Sequence, residues 1–266
     1  MTAIRVGPHT TIALAVASVF GFIAFTWPFI VTPGSSDAVS TVAPFMFGAA
    51  LLLVLAVLFA GFADGGLDSK ALALLGVLSA FGAALRPLGA GTGGVELVFF
   101  LLILGGRALG PGFGFALGCT TLFASALITG GVGPWLPFQM FACAWIGMGA
   151  GLLPPATGRT EVGLLVAYGA ISSFLYGLML NLSFWPYALG ENTRLSYVAG
   201  APVLENLHRY LLFDITTSLG WDTGRAITNA ILIAIAGAPV LAALRRAARR
   251  AAVSHAHEFV PVAGGD

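Results

Sequence analysis

Charge is scarce in this 266-residue chain: Asp, Glu, Lys and Arg together make up 9% of it, against roughly 25% in a soluble domain. That scarcity argues against an ordinary water-soluble enzyme, and 58% hydrophobic residues argue against a disordered chain. The charge that exists nearly cancels, with twelve basic and eleven acidic side chains, too little imbalance to hold nucleic acid by neutralising phosphates. Cysteine is limited to Cys119 and Cys143, both in apolar runs, so no disulfide framework is implied. Lys70 is the single lysine among the basic residues, a mark of genome composition rather than of chemistry.

The familiar catalytic signatures are missing as well. No phosphate-cradling loop ending in Gly-Lys-Ser/Thr occurs, and the glycine-rich run Gly105–Gly118 lacks the lysine. HExxH and GxSxG are absent, which removes the common zinc-protease and serine-hydrolase patterns. His255 and His257 lie in a small polar tail and read as a solvated turn, so neither a metal nor another cofactor is expected. Internal repeats are not visible, and the acids cluster in loops rather than mid-span, so a self-driven proton or sodium cycle gains no support.

Long hydrophobic runs are what the chain has, with a mean hydropathy of +0.95. A spanning helix needs about 20 mostly apolar residues. Eight segments qualify or nearly do: Thr10–Val31, Val42–Phe62, Ala71–Leu85, Val95–Leu104, Pro111–Thr129, Leu136–Leu153, Val162–Tyr187 and Gly224–Leu244. Pro33–Asp37 separates the first two, and Asp64, Gly65, Gly66, Asp68 and Lys70 form the next polar connection. Val95–Leu104 is short, so Val95–Thr129 reads either as two spans or as a re-entrant pair. The expected fold is therefore all-α, a polytopic membrane helical bundle.

Orientation follows the placement of basic residues. A cytoplasmic N-terminus puts Arg5, Lys70, Arg107, Arg159, Arg245, Arg246, Arg249 and Arg250 inside, leaving Arg86, Arg194, Arg209 and Arg225 outside. Trp27, Trp135, Trp185 and Trp221 then fall at outer helix ends, as an interfacial belt would. The longest connection, Tyr187–Asp222, faces outward. Within it Leu204, Leu207, Leu211 and Ile215 recur at helical spacing, which predicts an amphipathic helix on the outer interface, started by Pro202.

Three helices carry ridges of small residues, which permit close approach of helices in lipid. Gly110, Gly114 and Gly118 on the fifth, and Gly147 and Gly151 on the sixth, read as packing inside one bundle. Gly76, Ala80 and Ala84 on the third fit either an interior groove or a partner-docking surface.

The stretch GPGFGFALGCTTLFASALITGGVGPWLPFQMFACAWIGMGAGLLP, Gly110–Pro154, resembles the middle helices of the substrate-binding S components of energy-coupling factor (ECF) vitamin importers. The likeness covers about Ala71–Arg250 and implies a six-helix core (71–250), two extra N-terminal transmembrane helices (1–70) and a cytoplasmic tail (251–266). It also implies a prokaryotic plasma-membrane location, and the placement of the basic residues puts both termini in the cytoplasm. Partners would be a transmembrane coupling subunit and two ATPase subunits, with a vitamin or cofactor precursor as ligand. By the same resemblance Gly76, Ala80 and Ala84 match the docking ridge, and Arg86–Gly94, with Gly89, Gly91, Gly93 and Gly94, matches the loop that covers the substrate.

Polar groups beside aromatic rings in the outer halves of the core helices are the candidate ligand contacts, because burying them without partners is costly. They are Arg86 beside the loop, Trp135 and Gln139 on the sixth helix, Asn181 and Trp185 on the seventh, and Trp221, Asp222, Arg225 and Asn229 on the eighth. Each also has a structural reading: the tryptophans as interface anchors, Asp222 and Arg225 as a mutual pair, Asn181 and Gln139 as bridges between helices, Arg86 as a membrane-edge arginine. A corrinoid is the first ligand to consider, in which case His208 could reach the cobalt. The alternatives to import are a membrane enzyme for lipid-linked substrates built on Glu205, His208, Asp214 and Asp222, and a scaffold subunit of another complex.

Overall fold

The structure is a computed structural model that describes residues 6–30, 36–89, 92–189 and 193–258. Its described residues form eight α-helices: α1 (Pro8–Ile30), α2 (Ser36–Ala63), α3 (Ser69–Leu85), α4 (Val98–Leu109), α5 (Pro111–Thr129), α6 (Leu136–Leu152), α7 (Gly158–Ala188) and α8 (Val203–Glu258), with one 3-10 turn at Arg86–Leu88. Five of these segments are long and apolar enough to cross a bilayer, while Gly48–Ala63, α4 and α6 are shorter apolar helices. The chain is thus a polytopic membrane helical bundle, all-α as its composition requires.

The short fourth segment is the centre of the bundle. Every residue of α4 except Phe100 is buried, and α3, α5, α6, α7 and α8 all pack on it. The helix runs past the Gly105-Gly106-Arg107 sequence where the apolar run ends, because Arg107 finds partners inside. Its Nε donates to Glu161 at 2.6 Å and its Nη1 to the Leu153 carbonyl at 2.9 Å. Arg245 donates to both carboxylate oxygens of Glu161, at 3.0 and 2.6 Å. One buried carboxylate therefore ties α4, α7 and α8 together.

Glycine sets how closely α4, α5 and α6 approach. A Cβ on Gly114 would strike the Gly147 carbonyl, one on Gly106 would strike the same carbonyl, and one on Gly118 would strike the Cys143–Ala144 backbone. The ridges of α5 and α6 are internal packing, and they leave room only for backbone against backbone. The ridge of α3 is different. Gly76, Ala80 and Ala84 are exposed, a Cβ on Gly76 would meet no atom within 4 Å, and Leu75, Leu78, Ser79 and Gly82 face the bundle instead.

The N-terminal pair packs as a hairpin against the α5–α7 flank. Asp64, just past α2, clasps the start of α1: it accepts from the Thr10 backbone and hydroxyl at 2.7 Å each and pairs with His9 Nδ1 at 2.7 Å. These bonds, led by the Thr10 hydroxyl, hold the Asp64 carboxyl well below the usual carboxylate range.

Two expectations from the sequence are corrected at α8. The amphipathic segment and the last span are one helix of 56 residues, about 84 Å long at 1.5 Å per residue. Ser218, Gly220 and Thr223 lower helix propensity without breaking the helix, so nothing between Ile215 and Gly224 stops it. The connection after α7 is accordingly short, ending at Pro202 rather than Asp222. At the other end α8 continues to Glu258 because Arg and Ala are strong helix formers, so the tail from 251 begins as helix. Ala226–Leu244 carries no charge between Arg225 and Arg245 and measures roughly 30 Å, the thickness of a hydrocarbon core. Leu204, Leu207, Leu211 and Ile215 are exposed, turned away from the protein, while Asn206, Tyr210 and Phe213 face it. The apolar stripe of this half is therefore turned away from the rest of the bundle.

Candidate functional site

A cavity of about 490 Å³ opens between the start of α6, the end of α7 and the loop leading into α4. Trp135, Phe138, Tyr176, Phe184 and Tyr187 supply its aromatic walls, Pro134 and Leu180 the remaining apolar surface, and Glu96, Gln139 and Ser183 its polar groups. Volume and lining fall within the range of small-molecule sites, which combine apolar walls with a few directed polar groups.

Helix geometry explains who faces it. Tyr176, Leu180, Ser183, Phe184 and Tyr187 recur every three or four residues, so they share one face of α7. Asn181 and Trp185 sit on the adjoining face. Asn181 Nδ2 donates to Asp214 at 2.7 Å and Ser218 at 2.5 Å, bridging α7 to α8. Trp185 is buried among Phe29, Tyr197 and Tyr210 and donates to the Leu195 carbonyl at 2.8 Å. Neither lines the cavity.

On α6, Trp135 and Gln139 both line it. Arg86 does not, yet it fixes Gln139: its Nη2 donates to Gln139 Oε1 at 2.8 Å. That bond assigns the amide, leaving the Gln139 NH2 as the group it can offer elsewhere.

Behind the cavity floor lies a buried charge network. Arg225 donates to Asp222 at 2.6 Å, to Glu96 at 3.0 Å and to the Ser173 carbonyl at 3.0 Å. Its guanidinium stacks over Tyr176 at 4.8 Å and Phe99 at 5.5 Å. Asn229, fully buried, binds the Arg225 carbonyl at 3.0 Å and Ser173 Oγ at 3.4 Å. Arg225, Asp222 and Asn229 thus share the inward face of α8, whereas Trp221 is exposed. None of the four lines the cavity directly. Glu96 and Tyr176 connect the two features, since each belongs to both.

The loop before α4 is seated on α8 through glycine. Gly93 and Gly94 have φ of 47° and 83°, the left-handed region that favours glycine. A Cβ on Gly94 would meet the Trp221 carbonyl, and one on Gly224 would meet the Gly93 carbonyl. Gly89 abuts the Val95 carbonyl, and Gly91 lies outside the described residues.

The residues of the enzyme alternative are engaged elsewhere. Glu205 pairs with Arg209 at 2.9 Å, Asp214 holds Asn181, Asp222 holds Arg225, and His208 is exposed. Among the described residues no group of three His, Cys, Asp or Glu side chains is placed to hold a metal.

Sequence reasoning missed Glu96, Phe138, Tyr176, Phe184 and Tyr187. The stripe on α7 was readable as a period, and Glu96 is an acid at the very edge of an apolar run. No family model, curated protein or solved structure matches the chain.

Proposed function

We propose that this chain is the substrate-capture subunit of an ECF-type importer, which binds a small organic solute and hands it to a coupling subunit driven by two ATPases. The observation that carries this reading is the ligand-sized, aromatic-walled cavity bordered by Glu96, Trp135 and Gln139. The exposed face of Gly76, Ala80 and Ala84 supports the second half of the proposal, because small residues at this spacing let another helix approach closely. Arg86–Gly94 is the covering loop in this scheme, and the contact of Gly93 and Gly94 with α8 is its closed position. Both termini are cytoplasmic and the cavity faces outward, the arrangement favoured by the arginine distribution.

A vitamin or cofactor precursor is the ligand. The resting cavity suits a molecule much smaller than a corrinoid, and His208 lies outside the lining, so the walls would have to part to admit a cobalt macrocycle. The deciding experiment is expression of the tagged full chain with candidate coupling and ATPase subunits. Co-purification and ATP-dependent solute uptake support the reading. A chain that purifies alone and turns over a lipid-linked substrate without ATP overturns it in favour of an enzyme.

A further inference from the structure

The chemistry of the cavity wall narrows the ligand further. Glu96 is the one charged side chain among the described lining residues, and it is an acid. Its Oε1 accepts from Arg225, while Oε2 has no hydrogen-bond partner among the described residues. Arg225 does not line the cavity and is held between two carboxylates, Asp222 and Glu96. Arg86 reaches the wall only through the Gln139 oxygen. With its acids ionised, the Arg225–Asp222–Glu96 group carries one negative charge more than its arginine cancels, and Arg86 balances that charge from behind Gln139; of these four groups only Glu96 faces the void.

The rest of the wall has the same preference. Trp135, Phe138, Tyr176, Phe184 and Tyr187 present aromatic surface, and ring faces attract cations, most strongly where water is excluded. An anionic ligand would meet the Glu96 carboxylate and the ring faces, both repulsive. A neutral one would shield Glu96 Oε2 from water and give its charge no partner beyond Arg225. We infer that the cavity takes a small aromatic cation, a positively charged heterocycle or an aromatic amine, with its charge against Glu96 and a hydrogen-bond acceptor toward the Gln139 amide. This inference rests on the capture reading for the purpose of binding, but its chemistry concerns the cavity alone.

Three bicyclic probes of nearly equal size separate charge from shape: 1-methylquinolinium (cation), quinoline (neutral at pH 7.5) and quinoline-2-carboxylate (anion). Binding to the purified full chain in nanodiscs is read by tryptophan fluorescence, since Trp135 is in the wall, and by calorimetry. The expected order is cation first, at least tenfold tighter than quinoline, with the carboxylate weakest. Glu96→Gln reduces the difference between cation and quinoline to less than threefold, and Glu96→Asp retains most of it. Equal binding of the three probes, preference for the anion, or no binding of any probe overturns the inference on the unaltered protein, without reliance on a variant that folds poorly. Cation preference in a chain that never joins a coupling subunit keeps the ligand class and removes the importer. Co-purification with that subunit, combined with no charge preference, does the reverse.

Discussion

Glu96 and Arg225 are 129 positions apart in the chain and meet at 3.0 Å, joining the loop before α4 to the middle of α8. Glu96 borders the aromatic cavity, and the pair supplies a counter-charge to a guanidinium buried deep in the bundle. Removing one partner of a buried ionic group leaves the other charge uncompensated. Arg225→Met should therefore destabilise the purified chain by roughly 3–5 kcal/mol, read as a lowered midpoint of thermal unfolding in detergent. Arg225→Lys should recover little of the loss, because an ammonium cannot serve Asp222, Glu96 and the Ser173 carbonyl with the planar fork of arginine. Unfolding midpoints unchanged by Arg225→Met would show that the network is not structural.

Two glycines on small-residue ridges should respond in opposite ways. Gly147→Val drives a side chain into the Gly114 carbonyl, and overpacking of this kind costs about 1–3 kcal/mol or more. A Cβ at Gly76 meets nothing within 4 Å. Gly76→Ala should then raise the unfolding midpoint, by up to about 1 kcal/mol of helix propensity. Destabilisation by both would mean that the α3 ridge is packed after all.

The clasp between α1 and α2 should depend on pH in one direction. The folded-state pKa of Asp64 lies below its unfolded value, chiefly through the Thr10 hydroxyl. Its contribution to stability is therefore complete above the unfolded pKa of about 4 and is lost as pH falls from there toward the folded value. Unfolding midpoints measured from pH 6 down to pH 3 should fall more steeply in the native chain than in Asp64→Asn, which starts lower and stays flatter. Parallel curves would remove the clasp.

Hydropathy made the helices legible because lipid demands long apolar runs with satisfied backbones, and each of the eight overlaps the apolar segment that predicts it. The ridges of α5 and α6 were legible for the same reason: glycine at every fourth position has few uses other than close packing. Continuity was harder to read. The polar stretch around Ser218–Thr223 resembles a loop by composition, yet α8 runs through it because Asp214, Ser218 and Asp222 face partners on α7 or α8 itself. The cavity face was harder still. Asn181 and Trp185 look more like ligand contacts than Tyr176 and Phe184 do, and only the rotation of α7 between α6 and α8 decides which pair faces the void. A polar residue beside a ring marks helix–helix bridges as well as it marks binding sites.

The proposed division of labour makes its sharpest prediction at Ala80. This residue is exposed on α3, on the face opposite Leu75 and Leu78, and is absent from the cavity lining. Ala80→Trp should leave the folded chain and its affinity for 1-methylquinolinium within twofold of the native values, because the new ring projects outward. If α3 is where a coupling subunit docks, the same ring prevents the close helix approach that Gly76, Ala80 and Ala84 allow, and both co-purification and uptake should be lost. Phe81→Trp, on a neighbouring exposed position that is already large, should spare both. Uptake unaffected by Ala80→Trp would move the docking surface off this ridge, and the other exposed apolar stripe, Leu204–Ile215 of α8, would become the next face to test by the same substitution.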